Sequence, residues 1–244
     1  METVSIIIPA LNEECALPET LKRLAELSPE PDEIILVDGA SADRTIEIAE
    51  AAGIHVISGQ PTGRASQMNT GAAASSCDYL CFLHADTLIP HDFVSLVRKT
   101  LCDDQTALAG FVSIMRGERL RPVTTAHNFI KTWYAPLFFR PFSFIKGCRL
   151  LFGDQTLICR RSDFEAIGGF DPRQTIMEEA DLCLRMVRDG RGRVRQVNRK
   201  VWSSDRRVAS WGGLRANLTY FYLGALWGIG TEPDRLARLY ADIR

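Results

Sequence analysis

The sequence predicts an α/β fold in which helices cover both faces of a mostly parallel sheet and a helical extension follows at the C-terminal end. Short β-branched runs alternate with helical patterns through about residue 101, an order typical of parallel sheets with crossover helices. Of the 244 residues 46% are hydrophobic, enough to bury a substantial core without disulfides. No apolar run reaches the roughly 20 residues that a membrane-spanning helix needs.

The first half of the chain supplies the clearest elements. Strands are expected where short apolar runs occur, at residues 4–8, 33–37, 54–57 and 79–83. Helices are expected between them, at residues 14–27, 41–52 and 64–75, and Pro90 suits the first turn of a further helix. This order predicts the parallel part of the sheet.

The alternation weakens after residue 101. Strands are expected at residues 108–115 and 155–159, and helices at residues 178–188, 214–227 and 233–240, while residues 120–150 look irregular and rich in aromatic side chains. We therefore expect one α/β domain over residues 1–207 and a helical extension over residues 208–244 that packs on it.

Charge and cysteine usage set broad limits on partners and location. The net charge is -1 and no basic nucleic-acid motif accompanies the elements, so no nucleic-acid partner is expected. Residues 185–207 are nevertheless strongly basic, which suits a phosphate, an anionic membrane surface or an ordinary solvated surface. The seven cysteines form no Cys-x-x-Cys pair and no secretory signal follows Met1, which indicates a cytoplasmic protein, with the inner face of the membrane as an alternative location.

Polar residues follow three of the expected strands. They lie at residues 9–14, 38–41 and 84–86, and ligands of doubly wound sheets bind at such strand ends. The first of these segments lacks a Gly-x-Gly-x-x-Gly turn, which argues against a dinucleotide-dependent oxidoreductase. A diphosphate at this edge could instead be neutralised by a divalent cation on an oxygen ligand such as Asp86.

An ordered set of motifs continues this pattern along the chain. It comprises Ser-Ile-Ile-Ile-Pro-Ala-Leu-Asn-Glu-Glu at residues 5–14, Ile-Leu-Val-Asp-Gly-Ala-Ser at 35–41, Gly-Arg-Ala-Ser-Gln-Met-Asn-Thr-Gly-Ala at 63–72, Phe-Leu-His-Ala-Asp-Thr at 82–87, Gly-Asp-Gln-Thr at 153–156, Gly-Gly-Phe at 168–170 and Met-Glu-Glu-Ala-Asp at 177–181. Together these motifs, over roughly residues 3–207, resemble the family-2 inverting glycosyltransferases of the GT-A fold, which is Rossmann-like. The Gly-Arg-Ala and His-Ala-Asp-Thr variants are similar to a small bacterial subgroup.

The resemblance implies that the chain binds a nucleotide-diphosphate sugar. The implied nucleotide-binding residues are Pro9, Ala10, Glu13, Asp38, Arg64 and Gln67. Glu13 would lie near the ribose, Asp38 would accept a hydrogen bond from the base, and Arg64 and Gln67 would begin a helix beside the diphosphate. A turn acid and a surface salt bridge are the structural alternatives for Asp38 and Arg64.

The resemblance also implies a metal ion and residues that close over the phosphates. Asp86 would bind Mg²⁺ or Mn²⁺ between the phosphates, while His84 stands where the family usually has a first aspartate. Histidine suits Mn²⁺ better than Mg²⁺, and a hydrogen-bonded histidine that binds no metal is the alternative. Arg206 and Arg207 match a basic pair that would close over the phosphates, with ordinary salt bridges as the alternative.

The acceptor side of the implied site needs one general base for an inverting transfer. The family supplies it from a Glu-Asp pair that opens a helix, and this chain has Glu178 and Glu179 there. Glu179 is our first candidate for the base and Asp181 the second, although acids also favour the first turn of any helix. Asp154 and Gln155 would form the floor of the acceptor site.

These implications predict a metal-assisted hexosyltransferase that uses a UDP- or GDP-linked donor. The alternatives are a sugar-nucleotide sensor without catalysis and a pyrophosphorylase-like nucleotidyltransferase, although the latter carries a glycine-rich basic loop where this chain has residues 11–14. The sequence does not identify the acceptor, and a lipid-linked hydroxyl is one candidate. Aromatic and basic residues alternate over residues 129–146, which suits peripheral membrane contact, sugar stacking, a homodimer contact or the protein core.

Overall fold

One sheet runs through the part of the chain that the structure, a computed structural model, describes: residues 1–59, 63–117 and 121–243, without the side chains of residues 207, 208, 210 and 241–243. Its strands are β1 (Val4–Ala10), β2 (Glu33–Asp38), β3 (His55–Ile57), β4 (Tyr79–Phe82), β5 (Thr87–Leu88), β6 (Thr106–Arg116), β7 (Leu157–Arg160) and β8 (Arg193–Ser204). They form an eight-stranded sheet in the order β3-β2-β1-β4-β7-β6-β8-β5.

The helices lie between and after these strands. They are α1 (Leu17–Ala25), α2 (Thr45–Ala51), α3 (Arg64–Ala74), α4 (Phe93–Leu101), α5 (Pro122–Phe139), α6 (Pro141–Ile145), α7 (Arg161–Ala166), α8 (Glu178–Arg188), α9 (Arg206–Trp211), α10 (Gly213–Gly228) and α11 (Pro233–Ile243). A short 3-10 turn at Gly153–Gln155 precedes β7.

The first half of the chain forms the parallel half of the sheet, as predicted. Strand β1 pairs in parallel with β2 and with β4, and β2 pairs in parallel with β3. Every residue of β1 is buried, which explains its continuous run of apolar side chains. The carboxyl ends of β1, β2 and β4 therefore lie at one edge of the sheet.

The second half of the sheet is mixed. Strand β7 runs antiparallel to both β4 and β6, β8 runs parallel to β6, and β5 closes the edge antiparallel to β8. Among the described strands four of the seven pairs are parallel, so the sheet is parallel by a narrow majority.

Helices cover both faces of the sheet, and alternate residues of β1 show why. Ile7 lies in one hydrophobic cluster with Met68 of α3 and Met186 of α8. Ile6 and its neighbour Ile8 lie in the other, on the face where α1 and α4 pack. Because successive side chains of a strand point to opposite faces, one buried strand holds two helical layers.

Two segments differ from their sequence prediction. The basic stretch within residues 185–207 contains strand β8, whose register to β6 shifts between Phe111 and Val112. Its arginines point outward between a few buried positions such as Val194 and Val201, and the irregular register hides the alternation of buried and exposed side chains that marks a strand.

Much of the segment that looks irregular in the sequence forms the helices α5 and α6. Helix α5 starts with Pro122 and contains Pro136 in its last turn. Aromatic side chains favour strands and an internal proline argues against a helix, so both signals obscure a helix that tertiary packing stabilises.

The C-terminal helices share the core of the sheet. Leu223 and Trp227 of α10 and Leu236 of α11 are buried in the same cluster as Ile7 of β1. Helices α10 and α11 therefore share apolar side chains with the sheet, while the division into a domain over residues 1–207 and an extension over residues 208–244 stays a prediction. No helix in the described ranges is both long and apolar enough to cross a bilayer.

Candidate active site

The edge formed by the carboxyl ends of β1, β2 and β4 holds most of the predicted residues. Pro9 and Ala10 end β1, and Gly39 donates its N–H to the Ala10 carbonyl at 2.9 Å. Gln67 of α3 donates from its side-chain amide to the carbonyls of Ala10 and Val37, both at 2.8 Å. These bonds join the ends of β1 and β2 to helix α3, and they employ both amide hydrogens of Gln67.

Asp38 lies at the end of β2 and is 1% exposed. Its Oδ2 accepts hydrogen bonds from the backbone N–H groups of Ala40 at 2.9 Å and Ser41 at 3.0 Å, which is the turn role expected of such an acid. Its Oδ1 is buried without a hydrogen-bond partner in the described residues. Because an unpaired buried oxygen costs free energy, this atom is suited to accept from a bound ligand.

Arg206, at the start of α9, links two carboxylates from separate strand ends. Its Nη2 lies 2.6 Å from Oε2 of Glu13 and 3.1 Å from Oδ2 of Asp86. Burial lowers the pKa of the Arg206 guanidinium, but the hydrogen bond to Glu13 and the second carboxylate outweigh it, so the pKa is raised. The predicted partner Arg207 begins the same helix, but its side chain lies outside the described part of the structure.

Two buried acids open helix α8. Glu178 is 1% exposed and Glu179 is 4% exposed. Arg64, at the start of α3, places Nη1 at 3.1 Å from Oε1 of Glu178 and 3.8 Å from Oε1 of Glu179. Arg64 therefore offsets the charge of buried carboxylates. Loss of such a partner destabilises a protein far more than loss of the surface salt bridge that was the alternative for Arg64.

The two acids differ in their pKa. Burial raises the pKa of Glu178 to about 7, and the negative charge of Glu179 adds to this effect. The positive charge of Arg64 lowers the pKa and offsets the rise only in part. Burial also opposes ionisation of Glu179, but its contacts with His84 and Arg64 lower its pKa below the ordinary value. Glu179 is therefore ionised at neutral pH, as a general base must be.

His84 follows β4 and faces Glu179. Its Nε2 lies 3.7 Å from Oε1 of Glu179, and both atoms are buried without a hydrogen-bond partner in the described residues. Asp181, in the same first turn of α8, instead pairs with Arg185 one turn further along, and its Oδ2 lies 2.6 Å from Nε of Arg185. The structure thus groups Glu179, rather than Asp181, with His84 and Arg64.

The 3-10 turn at Gly153–Gln155 lies beside this group. Asp154 accepts a hydrogen bond from Nδ2 of Asn128 on α5 at 2.8 Å. Gln155 is 1% exposed, accepts from the Phe152 N–H at 2.9 Å and donates to Oγ1 of Thr132 at 3.0 Å. Asp154 remains near the surface of the cleft, while the side chain of Gln155 anchors the turn to α5.

Lys131 of α5 is a residue of this region that the sequence did not single out. Its Nζ lies 3.6 Å from the centroid of the Phe152 ring. Burial lowers its pKa, although the charges of Asp154 and Glu179 oppose that effect. A single lysine among aromatic residues carries no sequence signal of its own, and only the packing of α5 brings it to the site.

Gly153 packs so closely against His84 and Glu179 that no larger residue fits. A Cβ at this position would overlap the imidazole of His84 and Oε1 of Glu179. Gly153→Ala should therefore displace Glu179 and lower the rate of the sugar transfer that the sequence predicts by about a hundredfold, since a shift near 1 Å at a reacting group costs about that much. Initial rates of the variant and the wild type, together with their melting temperatures, check this expectation.

Gly213→Ala is the matched control, because a Cβ there meets no atom within 4 Å. Its transfer rate and melting temperature should stay close to those of the wild type. If Gly153→Ala stays folded and keeps the wild-type rate, the close packing does not position Glu179.

The residues present fit a divalent cation if a bound substrate supplies part of its coordination. Among the described residues no group of three or more His, Cys, Asp or Glu side chains is placed to hold a metal ion. Asp86 offers carboxylate oxygens, and the unpartnered Nε2 of His84 lies two residues before it. One or two protein ligands suffice where substrate phosphates supply the others, as is usual for Mg²⁺ sites of this kind.

A family model described as Glycosyl transferase family 2 matches residues 5–168 of the chain. A pre-mycofactocin glycosyltransferase of Mycobacterium tuberculosis is 26% identical over 249 aligned residues, which cover 97% of this chain and 49% of that protein. The chain thus spans about half the length of this curated relative.

Solved structures share the fold at low sequence identity. One is glucosyl-3-phosphoglycerate synthase from Mycobacterium tuberculosis in complex with Mn²⁺, UDP-glucose and phosphoglyceric acid, with a TM-score of 0.63 at 21% identity. The match covers 94% of this chain and 80% of that one. A mannosyltransferase from Pyrobaculum calidifontis, in complex with GDP-mannose and Mn²⁺, has a TM-score of 0.68 at 17% identity, with coverage of 70% of its chain by 99% of this one.

Proposed function

The chain belongs to glycosyl transferase family 2 and has the GT-A fold, and from this premise we propose that it transfers a sugar, with inversion, from a nucleotide-diphosphate sugar to an acceptor hydroxyl. The observation that carries the proposal is the position of Glu179, a buried carboxylate with a free Oε1 beside His84 and Arg64. Such an oxygen can take a proton from an acceptor at the same edge of the sheet where a nucleotide would bind.

The donor would lie across the ends of β1 and β2. Asp38 has a free Oδ1 for a base N–H, and Glu13 lies in the adjoining loop, where it can meet a ribose. UDP- and GDP-linked sugars are the donor candidates, because related structures hold UDP-glucose and GDP-mannose. Arg64 and the start of α3 would favour the negative charge of the diphosphate.

The transfer then follows from the placement of these groups. The acceptor oxygen attacks the anomeric carbon on the face opposite the diphosphate, and its proton passes to Oε1 of Glu179. The bond between the anomeric carbon and the diphosphate oxygen breaks, and the nucleotide diphosphate leaves with the electron pair. Mg²⁺ or Mn²⁺ held by Asp86, with His84 as a second candidate ligand, would offset the charge on the leaving group.

Two further groups complete this assignment. Arg206 would exchange its present carboxylate partners for the phosphates, and Asp154 would border the acceptor together with Lys131. A cation beside the acceptor subsite would favour acceptors that carry a carboxylate or a phosphate. Gln155 would act indirectly, since its amide is committed to the turn.

Thermal unfolding with a panel of nucleotide diphosphates tests this function. UDP or GDP with Mn²⁺ should stabilise the protein by about 2.7 kcal/mol when the ligand is at one hundred times its Kd. The same nucleotide without metal, and the corresponding monophosphate with metal, should give much smaller shifts. Slow release of the nucleotide from its sugar conjugate would then demonstrate catalysis.

The outcomes separate the proposed activity from its alternatives. No metal-dependent shift with any nucleotide diphosphate contradicts the donor assignment. A shift without turnover of any UDP- or GDP-sugar indicates a protein that binds the nucleotide sugar but does not transfer it. Formation of pyrophosphate from a nucleoside triphosphate and a sugar phosphate indicates a nucleotidyltransferase.

A further inference from the structure

Exposed apolar side chains are concentrated on one part of the molecule. Apart from Met1 and Leu11, every large hydrophobic side chain that is exposed in the described residues lies on α5, α6 or α10 or at the end of α10. They are Val123, Phe129, Ile130, Trp133, Leu137, Phe138, Phe142, Ile145, Leu214, Leu218, Phe221, Tyr222 and Ile229. We call this set the apolar face. Isolated exposed side chains need no explanation, but a cluster of this size marks an interaction site.

Most of the apolar face is built from two helices, α5 and α10, that run side by side. Val123 near the start of α5 and Leu214 near the start of α10 line one open groove of about 660 Å³. At the other end Arg140 donates to the Gly228 carbonyl, so the ends of the two helices also meet. Within α5, Val123, Ile130 and Leu137 recur every seven residues and therefore form one stripe.

The opposite sides of the same helices face the protein. Thr124, Asn128 and Thr132 of α5 are buried, as are Ala216 and Leu223 of α10. Each helix is thus apolar toward solvent and well packed toward the sheet. Neither is long and apolar enough to span a bilayer, which leaves binding along a surface as the geometry for such helices.

The segments that form the apolar face carry basic but no acidic side chains. Residues 121–149 and 206–231 contain eight Lys and Arg residues and no Asp or Glu. Arg140, Lys146, Arg149 and Arg215 form no ion pair with a carboxylate of the described residues. Arg149 lies between two aromatic rings, 4.4 Å from the Trp133 centroid and 4.2 Å from the Phe144 centroid, so its cation stays within the aromatic cluster.

From these observations we propose that the apolar face docks on an anionic lipid bilayer, with the exposed side chains of α5, α6 and α10 in the interface and the unpaired bases at the lipid headgroups. Aromatic and aliphatic side chains bind the boundary between headgroups and acyl chains, and unpaired cations bind anionic lipids. A second copy of the chain would bring like charges together across the same face, which disfavours a dimer there. The proposal rests on this surface and is independent of the proposed transferase activity.

Sedimentation with phospholipid vesicles tests the proposal. The full chain should bind vesicles that contain phosphatidylglycerol and bind pure phosphatidylcholine vesicles at least about tenfold more weakly, with a marked loss at high salt. The triple variant Ile130→Ser, Phe138→Ser, Phe142→Ser should lose at least about tenfold in vesicle affinity. Circular dichroism and thermal unfolding would check that the variant is folded.

A pair of charge variants separates surface recognition from loss of fold. Lys146→Gln with Arg215→Gln should weaken binding to phosphatidylglycerol vesicles about tenfold. Lys22→Gln with Lys99→Gln removes the same charge from exposed positions of α1 and α4, on the opposite face of the sheet, and should leave binding unchanged.

Three results would overturn the proposal. They are failure of the wild-type chain to bind anionic vesicles, equal loss of binding in the two charge variants, and a stable dimer in light scattering that the triple variant dissolves. The last result would show that a second copy covers the apolar face.

Discussion

Asp86→Ala should lower sugar transfer by about a thousandfold and abolish the metal dependence of nucleotide diphosphate binding. A cation that bridges substrate phosphates contributes several kcal/mol to the transition state, and each 1.36 kcal/mol corresponds to about tenfold in rate. Asp86 is the only carboxylate that the described structure places at the end of β4 in contact with Arg206. Initial rates, together with thermal shifts by UDP and GDP with and without Mn²⁺, measure both effects.

Two companion variants make this prediction specific. Asp86→Asn keeps the size of the side chain and should show nearly the same loss, which excludes a cavity as the cause. Asp104→Asn changes a fully exposed aspartate that lies 3.6 Å from Arg160, far from the cleft in the fold, and it should behave as the wild type. Metal-dependent nucleotide binding that survives in Asp86→Asn would contradict the assignment of Asp86 as a ligand.

Glu179→Gln should lower kcat by about 10²–10⁴-fold, the usual contribution of a general base, while the Kd for the nucleotide diphosphate changes little. The amide has nearly the shape of the carboxylate but cannot take the acceptor proton. Glu178 and Arg64 retain their 3.1 Å ion pair in this variant, so the start of α8 should stay in place. Steady-state kinetics and nucleotide binding measured on the same preparation separate the two effects.

Asp181→Asn provides the control for Glu179, because both acids lie in the first turn of α8. Asp181 is paired with Arg185 at 2.6 Å, so its replacement should mainly lower the free energy of unfolding. We expect a cost of about 1 kcal/mol or less for a partly exposed pair of this kind. If Asp181→Asn abolishes transfer while Glu179→Gln does not, Asp181 is the base.

The sequence predicted the parallel half of the fold closely because local and tertiary signals agree there. The apolar run predicted at residues 4–8 became β1 (Val4–Ala10), and that at residues 79–83 became β4 (Tyr79–Phe82). Such strands are buried on both faces, so their sequences are apolar throughout. Strand β8 was harder to predict, because its register to β6 shifts twice and most of its charged side chains point outward. Its pairing with β6 stabilises it.

The candidate site was predictable as a set of residues but not as a set of contacts. Strand ends identified residues 9–14, 38–41 and 84–86, and the family resemblance added Arg64 and Glu179. Neither source could show that Gln67 joins two strand ends or that Arg206 joins Glu13 to Asp86, because these bonds connect residues far apart in the chain. Lys131 depended on helix α5, which the sequence did not predict.

The guanidinium of Arg206 serves as the counterion of two carboxylates in the cleft, those of Glu13 and Asp86. A divalent cation that enters alone would compete with the Arg206 guanidinium for Asp86. The displaced guanidinium would then lie close to the cation and repel it. A nucleotide diphosphate that enters with the cation supplies that guanidinium with a new anion. With Asp86 as the proposed metal ligand, joint entry of metal and donor would be favoured over entry of bare metal, and loading of the cleft would exchange partners among charges already present.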